Sequence, residues 1–365
     1  MVLASMPELT LKSSNLTLGT GASVRFLLVF PCGLGDVVKS ELEEKMRFKK
    51  VVDENPQGVP GRIIIDIPES ESSRLLSLRS VEWFLEYVGA FKVDTSLRGL
   101  EDVHSGIMRM EFPNWFREAS SFRVSCRRHG KHEFTSMDVQ RKAGQALVDK
   151  YGLKVDLENF QANVFLDIVG DSCFVGLFRS EYASGRYIVF THPAALRPSV
   201  AYGMVRIAGL KPGMTLLDPM CGGGIIPIEA ALSTSNVTIY GFDVSEYFLE
   251  GAALNAEAMG ASERIIFKRV DCKRLSKELR FKVDRIVTDP PYGTKPIARV
   301  NPRAFYSICL PEMRKVLSDD GRIVLITIKP GYVREISSKI GLSIEHERII
   351  KHGDASPSIM VLKPS

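Results

Sequence analysis

Leu216-Leu217-Asp218-Pro219-Met220-Cys221-Gly222-Gly223-Gly224 passes from an apolar pair through an acid into three consecutive glycines. The order predicts a short buried strand, a tight turn and the start of a helix containing Ile228 and Glu229, with glycines that let backbone approach a ligand at the helix N-terminus. A packing turn is the plainer alternative. A dinucleotide site would favour G-x-G-x-x-G, and the carboxylate at this strand end would repel a pyrophosphate. A cationic ligand bearing an amino-acid group fits better. In S-adenosylmethionine, for example, the ammonium can be held by Asp218 directly or through water, with further contacts from Cys221, Gly222 and Gly224.

Around this stretch, strand-sized apolar runs alternate with helical periodicity. Strands are expected at 215–217, 238–242, 265–269, 285–288 and 322–328, with helices between them and an amphipathic helix at 197–209 ahead of them. Such alternation predicts a parallel, doubly wound α/β sheet with its ligand crevice at the strands' carboxyl ends. Two of the next strands end in acids. Asp243, followed by Val244, stands where a carboxylate commonly accepts from ribose hydroxyls; Asp271, followed by Cys272, is placed to accept from an adenine amino group.

The fourth strand ends in Asp289-Pro290-Pro291-Tyr292-Gly293. A planar nucleobase amine is a poor nucleophile because its lone pair is delocalised, so a catalyst must grip both hydrogens and aim the nitrogen at a methyl donor. The Asp289 carboxylate and Pro290 carbonyl offer two acceptors, and Asp289 is expected to contact the donor as well. Pro290 and Pro291 stiffen the loop, and the Tyr292 ring can stack on an extruded base. The expected reaction is methyl transfer to an exocyclic nitrogen, with Asp289 taking the released proton. Carbon methylation would need a thiolate, and residues 289–293 hold no cysteine; Cys309 lies on an expected apolar helix and reads as core.

Upstream, 24–30 reads as a strand, 36–46 as a helix, 62–67 as a strand and 70–88 as a helix with a broad apolar face, a small α+β module ending near residue 100. A second module follows, with strands at 122–126, 163–169 and 173–178, a helix at 136–151, and a hairpin turn at Asp171-Ser172. Residues 180–192 read as a linker. Arg123, Arg127, Arg128, Lys131, Arg141 and Lys142 outnumber Glu133 and Asp138 in the basic stretch, an excess able to meet phosphates; a solvated charged face is the alternative.

Composition excludes several classes. At 365 residues, 45% hydrophobic and 25% charged, the chain is too long for one ordinary domain and too apolar to be mainly disordered. No apolar run reaches the roughly 18 residues of a membrane-spanning helix, and residues 1–23 read as a loose tail rather than a signal peptide. Six cysteines without a C-x-x-C pair argue against zinc and a disulfide framework, and no other spacing suggests a metal; reduced thiols in cytoplasm are expected. A net charge of +5 leans mildly toward polyanionic partners.

Asp218 to Gly224, Asp243, Asp271 and Asp289 to Gly293 together resemble the Rossmann-type S-adenosylmethionine-dependent amino-methyltransferases. Phe122 to Ser136 followed by Val155-Asp156-Leu157-Glu158-Asn159 looks like a THUMP domain, and His192 to Ser199 resembles the motif that shapes the methionine end of the donor pocket in THUMP-containing guanosine N2-methyltransferases. The resemblance implies donor contacts from Arg197 and Ser199, and a tail (1–23), a ferredoxin-like domain (24–100), a THUMP domain (101–179), a linker (180–192) and a methyltransferase domain (193–365). It also implies that the N-terminal modules dock the acceptor end of transfer RNA. Asp-Pro-Met-Cys-Gly is nearest the branch that modifies guanosine 6, and Asp-Pro-Pro-Tyr-Gly is closer to the guanosine 10 branch; the expectation is N2-methylguanosine, with position 6 preferred. Ribosomal RNA guanine-N2 or adenine-N6 methylation and a silent RNA-binding protein stay open, while Asp218 disfavours a dinucleotide oxidoreductase.

Overall fold

Two sheets carry the fold in the computed structural model, which describes residues 23–46, 50–178, 188–192, 195–291, 301–351 and 356–365. The first is built from β1 (Ser23–Val29), α1 (Gly35–Lys45), β2 (Lys50–Glu54), β3 (Arg62–Pro68), β4 (Trp83–Lys92), α2 (Gly99–Arg109), α3 (Asn114–Arg117), β5 (Ser121–His129), α4 (Ser136–Tyr151), β6 (Lys154–Val155), β7 (Ala162–Val169) and β8 (Ser172–Phe178). Strand order is β2-β3-β1-β4-β8-β7-β5-β6. β4 pairs with β1 on one side and β8 on the other, so one sheet runs unbroken past residue 100.

That arrangement explains where the sequence reading fails. The helix expected at 70–88 does not form: Glu69–Ser77 makes 3-10 turns and Trp83–Lys92 is β4. The apolar face at helical spacing was misleading because β4 has ladder partners on both edges, and its aromatic and branched residues suit a pleated surface. The hairpin turn also shifts by one residue. Ser172 already pairs with Val169, and Gly170 takes φ 57°, a left-handed conformation costly for a residue with a Cβ. The helix at 136–151 forms as expected: Thr135 caps it in a capping box with Asp138, and Gly152 ends it in the left-handed conformation.

The second sheet comprises β9 (Thr215–Asp218), β10 (Thr238–Asp243), β11 (Ile265–Arg269), β12 (Val283–Thr288), β13 (Leu317–Thr327), β14 (Leu342–Ile349) and β15 (Ser358–Pro364). Helices α5 (Pro198–Ala208), α6 (Ile225–Ser233), α7 (Glu246–Ala258), α8 (Leu275–Glu278), α9 (Pro302–Val316) and α10 (Pro330–Ser337) cover its faces. The order β11-β10-β9-β12-β13-β15-β14 reverses at β9, putting the topological switch at the carboxyl end that carries Asp218. β9 to β13 are parallel; the antiparallel β15 and β14, beyond the expected series, close the far edge.

The two halves are fastened together. Leu34, just before α1, is buried in the core formed by α5 and α6, and a Cβ on Gly203 of α5 would sit 2.7 Å from it. Arg79 pairs with the buried Glu229 of α6 at 2.5 Å, Arg197 with Glu82 at 2.6 Å, and Arg206 with Glu44. The N-terminal half is thus tied to the helix that follows the glycine turn. Among the described residues, no helix is long and apolar enough to cross a membrane.

Candidate active site

A cavity of about 540 Å³ opens at the carboxyl ends of β9, β10, β11 and β12, within the usual size of small-molecule sites. Each strand delivers an acid to its wall: Asp218, Asp243, Asp271 and Asp289. The turn after β9 works as its sequence implied. Gly222 and Gly224 take φ of 50° and 77°, and a Cβ on Gly224 would meet that of Ala252 in α7 at 2.9 Å, so the turn lies flat on the neighbouring helix. Asp243 fixes it by accepting from the N–H groups of Gly222 and Ser245, both at 2.9 Å. Asp271 accepts from Lys273 N–H at 3.0 Å.

Asp218 differs from the other three in its electrostatics. Burial pushes its pKa up to about 8, opposed by the Met220 N–H and the Thr288 hydroxyl and reinforced by Asp243 and Asp289. A pKa raised this far favours a proton on Asp218 near neutrality. A cation beside the carboxylate would restore its charge, as the ammonium of S-adenosylmethionine would. The thiols are not poised to attack. Burial raises Cys221 well above the ordinary range, and the Cys309 thiol, 2.8 Å away, together with burial raises Cys272, so both stay protonated.

One wall comes from a segment read as linker. Val189 and Phe190 donate backbone N–H groups to Asn255 Oδ1 at 3.0 and 2.8 Å, while Asn255 Nδ2 donates to the carbonyls of Phe190 and Gly223. The Phe190 ring lies on α7 where a Cβ on Gly251 would come within 2.3 Å of it. His192 and Phe248 then line the cavity with ring centroids 5.0 Å apart. Sequence reasoning passed over Asn255 and Phe190. The available signal was a buried mid-helix Asn, which needs partners for its amide. Asn255→Ala is expected to cost about 2–3 kcal/mol and to loosen donor binding, read by denaturant melts and calorimetry.

Of the expected donor residues, Asp218, Cys221, Gly222, Asp243, Val244, Asp271, Cys272 and Asp289 line the cavity together with Pro290 and Pro291. Gly224 sits behind them as the N-cap of α6. Arg197 turns to Glu82 at 2.6 Å, and Ser199 is buried with no hydrogen-bond partner for Oγ among the described residues; neither lines the cavity. Tyr292 lies outside the described residues. Among the described residues, no group of three or more His, Cys, Asp or Glu could hold a metal.

The model of the RMKL-like methyltransferase domain matches residues 186–355, and that of the THUMP domain matches 97–177. A tRNA (guanine(6)-N2)-methyltransferase of Archaeoglobus fulgidus is 31% identical, the match covering 93% of this chain and 92% of that protein. One of the same description from Thermus thermophilus is 33% identical over 67% of this chain and 73% of its own length. The chain belongs to the THUMP-domain-containing tRNA guanosine N2-methyltransferases. These are Rossmann-type enzymes dependent on S-adenosylmethionine. The crystal structure of TrmN from Thermus thermophilus superposes with a TM-score of 0.73 at 29% identity, over 94% of this chain and 100% of that one.

In this methyltransferase the basic residues of the THUMP domain divide between two faces. Alternation along β5 puts Arg123 and Arg127 on one face and Arg128 on the other. Arg123 stacks on Phe160 with the guanidinium 4.1 Å from the ring centroid; Arg128 bonds His132 Nδ1 at 2.9 Å. Lys142 pairs with Glu101 at 2.6 Å; Lys131 stands exposed, and Arg141 stands exposed with Asp138 3.9 Å away. His129, at the end of β5, has its pKa lowered by burial and by Arg127, with Arg62 and Arg197 adding to the field.

Proposed function

We propose that this chain transfers a methyl group from S-adenosylmethionine to the exocyclic N2 of a guanosine in cytoplasmic transfer RNA, at position 6 of the acceptor stem. The observation that carries the reading is the placement of Asp289-Pro290-Pro291 on the same cavity wall as Asp218, Asp243 and Asp271. Amine grip and donor site thereby share one chamber. When bound, S-adenosylmethionine supplies an electrophilic methyl group. Asp218 holds the ammonium, Asp243 the ribose hydroxyls and Asp271 the adenine amine; Arg197 and Ser199 shape the entry to α5 behind the methionine end. Asp289 and the Pro290 carbonyl accept the two hydrogens of the guanine amine, Tyr292 stacks on the flipped base, and Asp289 takes the proton that the alkylated nitrogen sheds.

The THUMP domain docks the acceptor end through Arg123 and Arg127 on one face of β5 and the exposed Lys131 and Arg141, with Arg128 and Lys142 held by His132 and Glu101, and the fixed contact between the halves sets which base reaches the cavity. The near full-length relative from Archaeoglobus fulgidus carries the guanine(6) description, which favours that position over guanosine 10. The test is incubation with methyl-labelled donor and unmodified transfer RNA transcripts, followed by nuclease digestion and mass spectrometry. N2-methylguanosine at position 6 is expected; label on another base would sink the reading. Arg127→Ala should weaken binding about equally across transfer RNAs and reduce the salt slope by about 1, measured by fluorescence titration at several ionic strengths.

A further inference from the structure

Beside the cavity mouth, the first two turns of α7 expose an apolar ridge that donor binding does not use. Tyr247 is 66% exposed, and Val189 and Leu254 are 62% and 54% exposed. Tyr247, Gly251 and Leu254 follow at i, i+4 and i+7, so they share one helix face. Phe190 lies on that face over Gly251, locked by Asn255, and Tyr247 stands edge-to-face against it with centroids 5.3 Å apart. The exposed ring is thus buttressed on one side and open on the other. The exposed ring and its apolar neighbours form a contiguous surface rather than singly scattered residues, which is the kind of surface that contacts a partner.

Charge identifies the occupant. Arg269 at the end of β11 donates through Nε to the Val244 carbonyl at 3.1 Å, which holds it next to the ridge, and Lys273 and Arg274 are exposed in the following turn. Glu246, Glu250 and Glu257 are the opposing charges on the helix, so the cations that meet a phosphate come from the β11 end and the turn after it. Aromatic surface flanked by cations is the pattern that binds unstacked nucleotides, with bases on the ring and phosphates on the cations.

We infer that Tyr247 is a stacking platform for an unpaired nucleotide of the RNA substrate next to the flipped base, with Arg269 meeting its phosphate. The inference rests on the RNA-modifying reading above but not on the identity of the modified base. A base opened at the target site leaves a neighbour whose stacking partner is lost, and Tyr247 replaces that partner outside the reaction chamber.

The experiment uses the full chain. Tyr247→Ala, Tyr247→Phe and Arg269→Ala are titrated with transfer RNA and, separately, with S-adenosylmethionine, and the parent is photocrosslinked to 4-thiouridine-substituted transcript with peptide mapping. Tyr247→Ala should weaken RNA binding about tenfold with donor affinity intact. Tyr247→Phe should bind within about twofold of the parent because the ring is kept. Arg269→Ala should flatten the salt dependence, and the crosslink should fall on the peptide containing Tyr247. Unchanged RNA affinity in Tyr247→Ala would overturn the inference and leave the ridge to a protein partner. Equal loss of donor affinity would also overturn it, making Tyr247 a support for Phe190. A parent that methylates no transfer RNA, while Tyr247→Ala still weakens RNA binding, would defeat the proposed function and leave this inference standing.

Discussion

Asp289→Asn is expected to lower the single-turnover methyl transfer rate by about 10²–10³-fold while S-adenosylmethionine still binds with near-parental affinity. The expectation follows from where the residue stands. Asp289 directly follows β12 and shares the cavity wall with the donor acids, yet the donor has three other carboxylates to hold it. The amide of Asn retains one acceptor but offers a donor where the second guanine hydrogen must go, and it takes up no proton. Asp289→Ala should be at least as slow. Rapid-quench kinetics with labelled donor gives the rate, and calorimetry gives the affinity. Parental rates in Asp289→Asn would remove the carboxylate from the chemistry and leave the proline carbonyl and geometry as the whole of catalysis.

Much of this site could be read from sequence because its logic is local. Each acid directly ends its strand or opens the next turn, so finding the strands finds the acids; Asp218, Asp243, Asp271 and Asp289 come from four consecutive strands of one parallel sheet. The glycine turn is equally local, since positive φ at Gly222 and Gly224 is a requirement of the backbone itself. Non-local contacts were not legible. Phe190 is held over α7, next to the cavity-lining His192, because Asn255, far along the chain, accepts its N–H, and nothing near residue 190 announces that. Arg197, expected at the donor, pairs with Glu82 of another module, a contact that no local pattern announces.

The β4 segment shows the same limit at the level of the fold. Its apolar residues fit helical spacing, and propensity could not override a sheet that supplies partners on both sides. The division of β5 basic residues between two faces, by contrast, follows from period-two alternation alone once the strand is known. Secondary structure was recoverable wherever one element's own pattern decided it and was lost where the choice lay with a distant strand.

Donor affinity should rise about tenfold per pH unit between pH 6 and 7.5 and lose most of that dependence in Asp218→Asn. In the free protein Asp218 titrates near pH 8 because of its burial. Below that pH it is protonated, and an ammonium ligand must displace the proton to gain its counter-charge, so binding releases a proton and strengthens as pH rises. The same linkage acts on stability with the opposite sign. A carboxyl whose folded pKa lies above its unfolded value of 3.8 makes the folded state hold more protons, so the free protein loses stability as pH climbs from about 4 to 8. Bound donor removes that loss by lowering the folded pKa. The gain in Tm on adding S-adenosylmethionine should therefore grow from pH 6 to 7.5 in the parent and stay nearly constant in Asp218→Asn. Calorimetry in buffers of different ionisation enthalpy counts the released proton directly. Binding without proton release would place the ammonium away from Asp218 and shift its recognition to the other acids of the cavity.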